Sequence, residues 1–347
     1  MIAVSLTPLL ALAIAAPLCW LLVPLAIRLA WVIGWLDHPE ARKLHTAAMP
    51  VLGGATVFVA AVAAWAVALL RMPHSVADWE AWYLLAGAAL MLVVGLIDDR
   101  FGMQPSVKML GQAAAASLLI PAGLVPDIGL PIGIEAALTL VALVALMNAV
   151  NFLDNMNGMV GGLAPIALVG FAWTSIERGA NGVAAAQLAL AGACLGFLPH
   201  NFPKARIFLG DAGSLFLGYS LGASALMTMQ GAAPGWGRAG APLILAYPAF
   251  DMIFVVLTRL RDGRPVSHGG KDHTNHRLAS VLQCPIRTVV LMWASGAVLC
   301  AAGISILRLN QAGPTVLLWG LSTAMFLWSG LRLSSVPIVR PSAPTSK

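Results

Sequence analysis

Polar residues in this chain come in short clusters, separated by apolar stretches too long for strands. Eleven such stretches, at about residues 5–28, 53–71, 80–97, 108–124, 132–150, 160–176, 183–199, 212–230, 240–260, 286–307 and 313–333, carry almost no charge. An α-helix rises ~1.5 Å per residue, so about 20 apolar residues cross a ~30 Å hydrocarbon layer. Nothing alternates with the period of two that marks a barrel strand. The pattern therefore predicts an all-α, polytopic membrane protein of about 11 transmembrane helices (10–11). Residues 1–333 read as a single membrane domain, and 334–347 as a Pro-rich, polar tail that is disordered. No internal repeat is detectable, so an inverted-repeat transporter lacks its best sequence sign. The first run has no basic segment before it and is long enough to span, so it reads as a helix and not as a cleaved leader.

Composition agrees with the pattern. The 347 residues are 59% hydrophobic and 10% charged, against about 25% charged in a soluble domain. The four cysteines, Cys19, Cys194, Cys284 and Cys300, show no metal-like spacing and read as packing residues.

Charge then orients the chain. With the N-terminus outside, 16 of the 20 Lys and Arg fall on one set of loops and 4 on the other. The richer set is cytoplasmic by the positive-inside rule, which also puts the tail in the cytoplasm. Nine of the 14 acidic residues share that side. The five outer ones, Asp78, Glu80, Asp127, Glu135 and Glu177, read as solvated caps. A net positive inner face would also attract an anionic ligand.

Five inner segments carry the chemistry. The stretch from Val94 to Lys108 ends an apolar run with Asp98-Asp99. Ionisable groups at a membrane edge are costly and point to function, and paired carboxylates suit a hard divalent cation. Lys108, one turn into the next run, calls for an anionic partner, unless it snorkels. Lys43 and His45, followed by Gly53 and Gly54, suit phosphate, because glycine lets backbone N–H groups approach an anion; a basic anchor with a turn is the plainer alternative. Asn148, Asn151 and Asp154, spaced by three, share a helix face, and Asn157 follows. They suit nucleotide recognition or interhelical hydrogen bonding. Asn201 precedes Asp211, which opens a span as a metal carboxylate or an N-cap; Gly218 and Gly222 read as close helix packing. In the last loop, Lys271-Asp272-His273-Thr274-Asn275-His276-Arg277 suits phosphate or sugar better than Zn2+, which would want more ligands. Asp251 reads as a buried structural carboxylate.

Together these five segments resemble the polyprenyl-phosphate N-acetylhexosamine-1-phosphate transferases, the membrane family that includes the peptidoglycan translocase. The resemblance covers almost the whole chain. The last loop is similar to the Asp-x-x-His-x-His-His-Arg-Leu type of enzymes that start O-antigen, enterobacterial common antigen or teichoic acid synthesis. It implies transfer of a sugar 1-phosphate from a UDP-sugar to undecaprenyl or another polyprenyl phosphate, releasing UMP, with Mg2+ (Mn2+ as a substitute) at a cytoplasmic active site. It implies catalytic roles for Asp98, Asp99 and Asp211, beside Lys108 as read from its own position, and metal ligation by Asp211 and Asp99, with Asp154 as a third candidate ligand. Substrate contacts fall to Lys43, His45, Asn148, Asn151, Asp154, Asn157, Asn201, His273, His276 and Arg277. Two departures stand out: the family's Asp-Gly-x-Asp-Gly reads Asp154-Asn155-Met156-Asn157-Gly158, and one loop histidine is Asn275.

Competing readings are peptidoglycan-type transfer of a phospho-MurNAc-pentapeptide and a lipid-phosphate transporter. The transporter predicts charge deep in several spans and on both sides, whereas here it clusters on one. A non-catalytic scaffold leaves the aspartates at inner helix ends unexplained. The expected partners are the two substrates and the bilayer, with no nucleic acid; a homodimer stays open.

Overall fold

The computed structural model describes residues 7–38, 47–72, 79–266 and 270–337. Thirteen α-helices follow in chain order: α1 (Thr7–Ile33), α2 (Gly53–Leu69), α3 (Trp79–Phe101), α4 (Pro105–Ser117), α5 (Ile132–Leu153), α6 (Met159–Glu177), α7 (Asn181–Asn201), α8 (Gly210–Gly231), α9 (Gly240–Ile244), α10 (Ala246–Arg261), α11 (Thr274–Leu282), α12 (Pro285–Leu309) and α13 (Ala312–Ser334). A two-residue antiparallel pair, β1 (Leu36–Asp37) and β2 (Met49–Pro50), lies between α1 and α2.

All eleven apolar stretches become helical, but not all are long enough to span. Among the described residues eight helices are, and the α9–α10 region makes a ninth if its bent pair counts as one crossing. The other two of the expected eleven are short: α2 has 17 residues and α4 only 13. At ~1.5 Å per residue, α4 alone covers about 20 Å, and irregular chain continues it towards α5. The α9–α10 pair is bent by 65°. Pro248 explains the break: without an N–H it cannot continue the ladder to the Ile244 carbonyl.

Between helices in lipid there is no hydrophobic drive, so close packing of small residues decides their order. The Ala- and Gly-rich α7 and α8 are almost wholly enclosed, while α13 lies at the rim. A Cβ on Gly95 of α3 would sit 2.3 Å from the Ala212 Cα, and one on Gly54 of α2 would sit 2.3 Å from the Gly213 nitrogen. Both helices thus lie directly on the first turn of α8. The expected close packing at Gly218 and Gly222 is against Met147 and Leu143 of α5.

Proline supplies a further tie. Pro24 lacks the N–H that would reach the Trp20 carbonyl, and His200 Nε2 bonds that oxygen at 3.1 Å. Arg206, which can only donate, sits 2.7 Å from His200 Nδ1. The ring is therefore the Nε2–H tautomer, and it joins α1 to the end of α7.

The antiparallel pair α3 and α8 sorts the polar groups into two layers. Asp98 and Asp99 end α3 beside Asp211, which begins α8. At the opposite ends, Arg178 binds Glu80 at 3.2 Å and the Met227 carbonyl, and Arg308 binds Glu177. One outer acid differs from expectation. Glu135 is buried, and its Oε1 accepts the Ile128 and Leu130 N–H groups at 2.7 and 3.1 Å, organising the loop before α5.

Candidate active site

The site grows from a sharp corner. Gly102, at φ +66°, stops α3 in the left-handed conformation, and Pro105 starts α4 three residues later. These are the favoured stop and start residues. The corner points Lys108 back at the end of α3. Asp98 lies where the helix dipole disfavours an anion, but it accepts the Met103 N–H at 2.6 Å and the Lys108 ammonium at 2.8 Å.

Asp99 does different work. Its Oδ1 accepts the Asp211 N–H at 2.8 Å and its Oδ2 the Ala212 N–H at 3.0 Å. The first N–H groups of a helix have no partner within it, and here a carboxylate from another helix caps them. Gly210 makes this approach feasible: it has φ +75°, and a Cβ there would lie 2.6 Å from Asp99 Oδ2. From the other side, Gly53 N–H and Gly54 N–H donate to the carbonyls of Phe208 and Leu209 at 3.1 and 2.9 Å. Those N–H groups are thus spent on the chain entering α8 and not on a phosphate, contrary to the sequence expectation.

Asp211, so held, meets Lys108 Nζ at 2.6 Å through Oδ2 and Asn151 Nδ2 at 2.7 Å through Oδ1. Asn151 also accepts from Lys108 at 3.3 Å and donates to Ser214 Oγ at 2.8 Å. One ammonium therefore bridges two carboxylates and an amide, with Asp211 the most open of them at 36% side-chain exposure against 14% for Lys108 and 11% for Asp98. Asp154 caps the end of α5. Burial, with the Asp211 charge second, pushes its carboxyl up to about 7.

Several expected site residues are used differently. Asn148, one turn deeper than Asn151, trades hydrogen bonds with Gln112 at 2.6 and 3.3 Å, so it joins α4 to α5 and does not face a ligand. Asn201 is buried, accepting the Gly158 N–H at 2.6 Å and donating to the Ile207 carbonyl at 2.9 Å; both ends of its amide are occupied by loops. Arg277 turns away from the site, donating from Nη1 to the carbonyls of Leu333, Ser334 and Val336 that end α13. His273 Nδ1 lies 2.7 Å from Asp251, which also accepts the Thr274 N–H at 2.8 Å. Asn157 is exposed and donates to the Pro203 carbonyl at 3.2 Å. Lys43 and His45 lie outside the described residues. Gln112 and Ser214 were missed; each lies one helical turn beyond a marked residue, Lys108 and Asp211, which was the available signal.

The last loop is held by charge. Asp272, wholly buried, receives Arg259 through two bonds of 2.8 and 2.7 Å and Arg264 at 2.8 Å. Burial alone would raise its carboxyl, but Arg259 first and Arg264 next hold it well below the usual range. His276 is pushed down to about 4 by burial and then by His273, so its ring is neutral near pH 7. Both its ring nitrogens are closed off without a hydrogen-bond partner among the described residues.

As for a metal, no three His, Cys, Asp or Glu side chains are gathered around one point among the described residues. Of the expected set of Asp211, Asp154 and Asp99, Asp99 faces backbone N–H groups here, while Asp98 faces Asp211 across the Lys108 ammonium. The oxygens of Asp98, Asp211 and Asn151 around one cation are the hard donors that Mg2+ takes, usually with waters and substrate phosphates completing its shell. The donor set fits.

Residues 81–229 match the profile of glycosyl transferase family 4, a segment that holds Asp98, Lys108, Asn151 and Asp211. A decaprenyl-phosphate N-acetylglucosaminephosphotransferase of Mycobacterium tuberculosis is 32% identical over 300 residues, covering 76% of this chain and 74% of its own. The chain belongs to this transferase family. A probable undecaprenyl-phosphate N-acetylglucosaminyl 1-phosphate transferase of Bacillus subtilis is 31% identical over 267 residues, covering 74% of this chain and 73% of its own. An undecaprenyl-phosphate alpha-N-acetylglucosaminyl 1-phosphate transferase of Escherichia coli is 26% identical over 293 residues, covering 80% and 78%. The family 4 transferase described here is thus a polytopic helical membrane enzyme, with its polar cluster at one set of helix ends.

Proposed function

We propose that this family 4 transferase moves N-acetylglucosamine 1-phosphate from its UDP derivative to a polyprenyl phosphate such as undecaprenyl phosphate, starting a cell-envelope glycan. The sugar and the lipid are those in the names of its relatives. The observation that carries the reading is the Lys108 ammonium bridging Asp98, Asp211 and Asn151 at the membrane-edge end of α3, α4, α5 and α8. In the reaction, an oxygen of the lipid phosphate attacks the sugar-bearing phosphorus. A new P–O bond forms, the bond to the bridging oxygen breaks, and UMP leaves with the electron pair. Phosphoryl transfer of this kind needs positioning and charge neutralisation more than covalent help. Lys108 supplies fixed positive charge, and Asp99 and Asn151 hold Asp211 in place. Mg2+ would be held by Asp98, Asp211 and Asn151, and would neutralise phosphate charge when bound. Purified protein incubated with undecaprenyl phosphate and a panel of UDP-sugars tests the reading by UMP release. Turnover with no UDP-sugar at all would sink it.

The bias of Lys and Arg supports a cytoplasmic active site and an outer N-terminus. Eleven crossings follow if the short α2 and α4, with its irregular continuation, each cross once. Single cysteines placed between Arg261 and Asp272 are expected to label only from the cytoplasmic side; labelling from outside intact cells reverses the orientation.

Two further outcomes follow from the geometry. Gly95→Val drives α3 off the first turn of α8, at roughly 1–3 kcal/mol for overpacking. A displacement of even ~1 Å at Asp211 costs turnover about 100-fold. A melting curve and a UMP assay on the same sample read both, and wild-type values in each would remove Gly95 from the support of the site. Among the described residues Asn157 Oδ1 accepts no hydrogen bond, which leaves that acceptor for the donor nucleotide. Asn157→Ala is expected to raise the donor KM about tenfold, the ~1.4 kcal/mol of one hydrogen bond; an unchanged KM places it outside the nucleotide site.

A further inference from the structure

The turn after α5 and the start of α11 are far apart in sequence, yet one hydrogen bond joins them. Asn275 Nδ2 donates to Asn155 Oδ1 at 2.7 Å, across 120 residues of chain. Among the described residues it is the only hydrogen bond between residues 152–158 and 272–282. An edge-on contact of the Phe152 and His273 rings, with centroids 6.5 Å apart, accompanies it.

Neither amide is free to turn. Asn155 Nδ2 donates to the Phe152 carbonyl at 2.7 Å, so its oxygen must face Asn275. Asn275, fully buried, accepts the His276 N–H at 2.7 Å through Oδ1, so its NH2 must face Asn155. The result is an oriented relay from a carbonyl in the last turn of α5 to an N–H in the first turn of α11. Both ends are groups that a helix cannot satisfy internally, so breaking the relay leaves orphaned polar groups at both. Asn155 is next to Asp154 and two residues from Asn157. Asn275 fixes the backbone of His276, whose ring nitrogens are enclosed and have no hydrogen-bond partner among the described residues.

We propose that Asn155 and Asn275 are coupled positioning residues that clamp the 154–158 turn onto α11, so that both loops bind the nucleotide-sugar donor as one unit. The proposal rests on the donor reading above. The relay's bonds run from the Phe152 carbonyl to the His276 N–H and include no side chain of the Lys108 cluster, so its loss acts on the donor KM and not on kcat or on the lipid KM.

The test is a double-substitution cycle in the full-length enzyme, with kcat and both KM values measured beside a melting curve. Asn155→Gly and Asn275→His are each expected to raise the donor KM about tenfold, while the double variant returns to within about threefold of wild type, because the imidazole takes the space that the Asn155 side chain leaves. Asn155→Ala, on the half-exposed side of the contact, gives the same tenfold readout should the Asn275→His protein not fold. Independent effects, multiplying to about 100-fold in the double variant, overturn the clamp. An unmoved donor KM in the single variants, with losses only in kcat or folded yield, overturns it too. Those results, obtained with an active wild type, leave the function reading intact. A wild type without turnover overturns the function reading and this one with it.

Discussion

Asp211→Asn lowers turnover by about 1000-fold, ~4 kcal/mol of transition-state stabilisation, while the protein still inserts and melts near the wild-type temperature. The two halves of this expectation have separate causes. The start of α8 is capped by the Asp99 carboxylate, which binds the backbone N–H groups of Asp211 and Ala212 and not the Asp211 side chain. Asparagine has the same shape, so that cap survives. The charge does not survive. Lys108 loses its closest carboxylate, at 2.6 Å, and keeps only Asp98, at 2.8 Å. An amide is also a poor ligand for a divalent ion beside a carboxylate. Near-normal turnover in Asp211→Asn, with unchanged Mg2+ dependence, would take Asp211 out of the chemistry.

Asp272→Asn is expected to destabilise the protein by about 3–5 kcal/mol, because it strands a buried guanidinium. Arg259 has 4% of its side chain exposed and Asp272 none. Asparagine can offer Arg259 one oxygen in place of two, and no charge. Arg264 loses the closer of its two carboxylates in the same step and keeps only Asp262, at 3.4 Å. The loop that carries His273 and His276 then loses its anchor, and activity falls with the fold. The pH dependence has a definite sign. A carboxyl held low in the folded state stabilises above its unfolded pKa, about 3.9, and the contribution fades only as pH falls below that value. Stability is therefore flat in this respect from pH 5 to 8 and declines in stronger acid; Asp272→Asn abolishes that acid limb. A variant as stable as wild type at pH 7 would show that the pair is not what holds the loop.

The aspartates were legible in the sequence because a charge at the edge of an apolar run is expensive, and few reasons exist to keep one there. Asp98, Asp99, Lys108 and Asp211 all carry that mark, and the structure brings the four together with the uncharged Asn151. What the sequence could not separate was two carboxylates side by side. Asp98 and Asp99 are neighbours in sequence, yet one faces Lys108 and the other faces the start of α8. Helix rotation makes that choice, about 100° per residue, and rotation is set by how Gly95 packs on Ala212. Asn148 and Asn201 misled for a related reason. A buried amide looks the same in sequence whether it meets a ligand, a neighbouring Gln112 or two loop backbones.

The helical membrane architecture follows from composition and pattern alone, because a chain with 59% apolar residues in long unbroken runs satisfies its backbone in lipid within helices. The sequence also set the reactive carboxylates at the ends of apolar runs, where the helices of the structure place them. That α2 stops at 17 residues and α4 at 13 is visible only in the folded chain. The tertiary structure alone paired Asn155 with Asn275, and Asp272 with Arg259 and Arg264. The physical reason is the range of the forces. Hydropathy and helix periodicity act over a few turns of one segment, whereas a hydrogen bond between loops needs two backbones fixed to within a few tenths of an ångström. Only the packing of α3, α5, α8 and α10 supplies that precision.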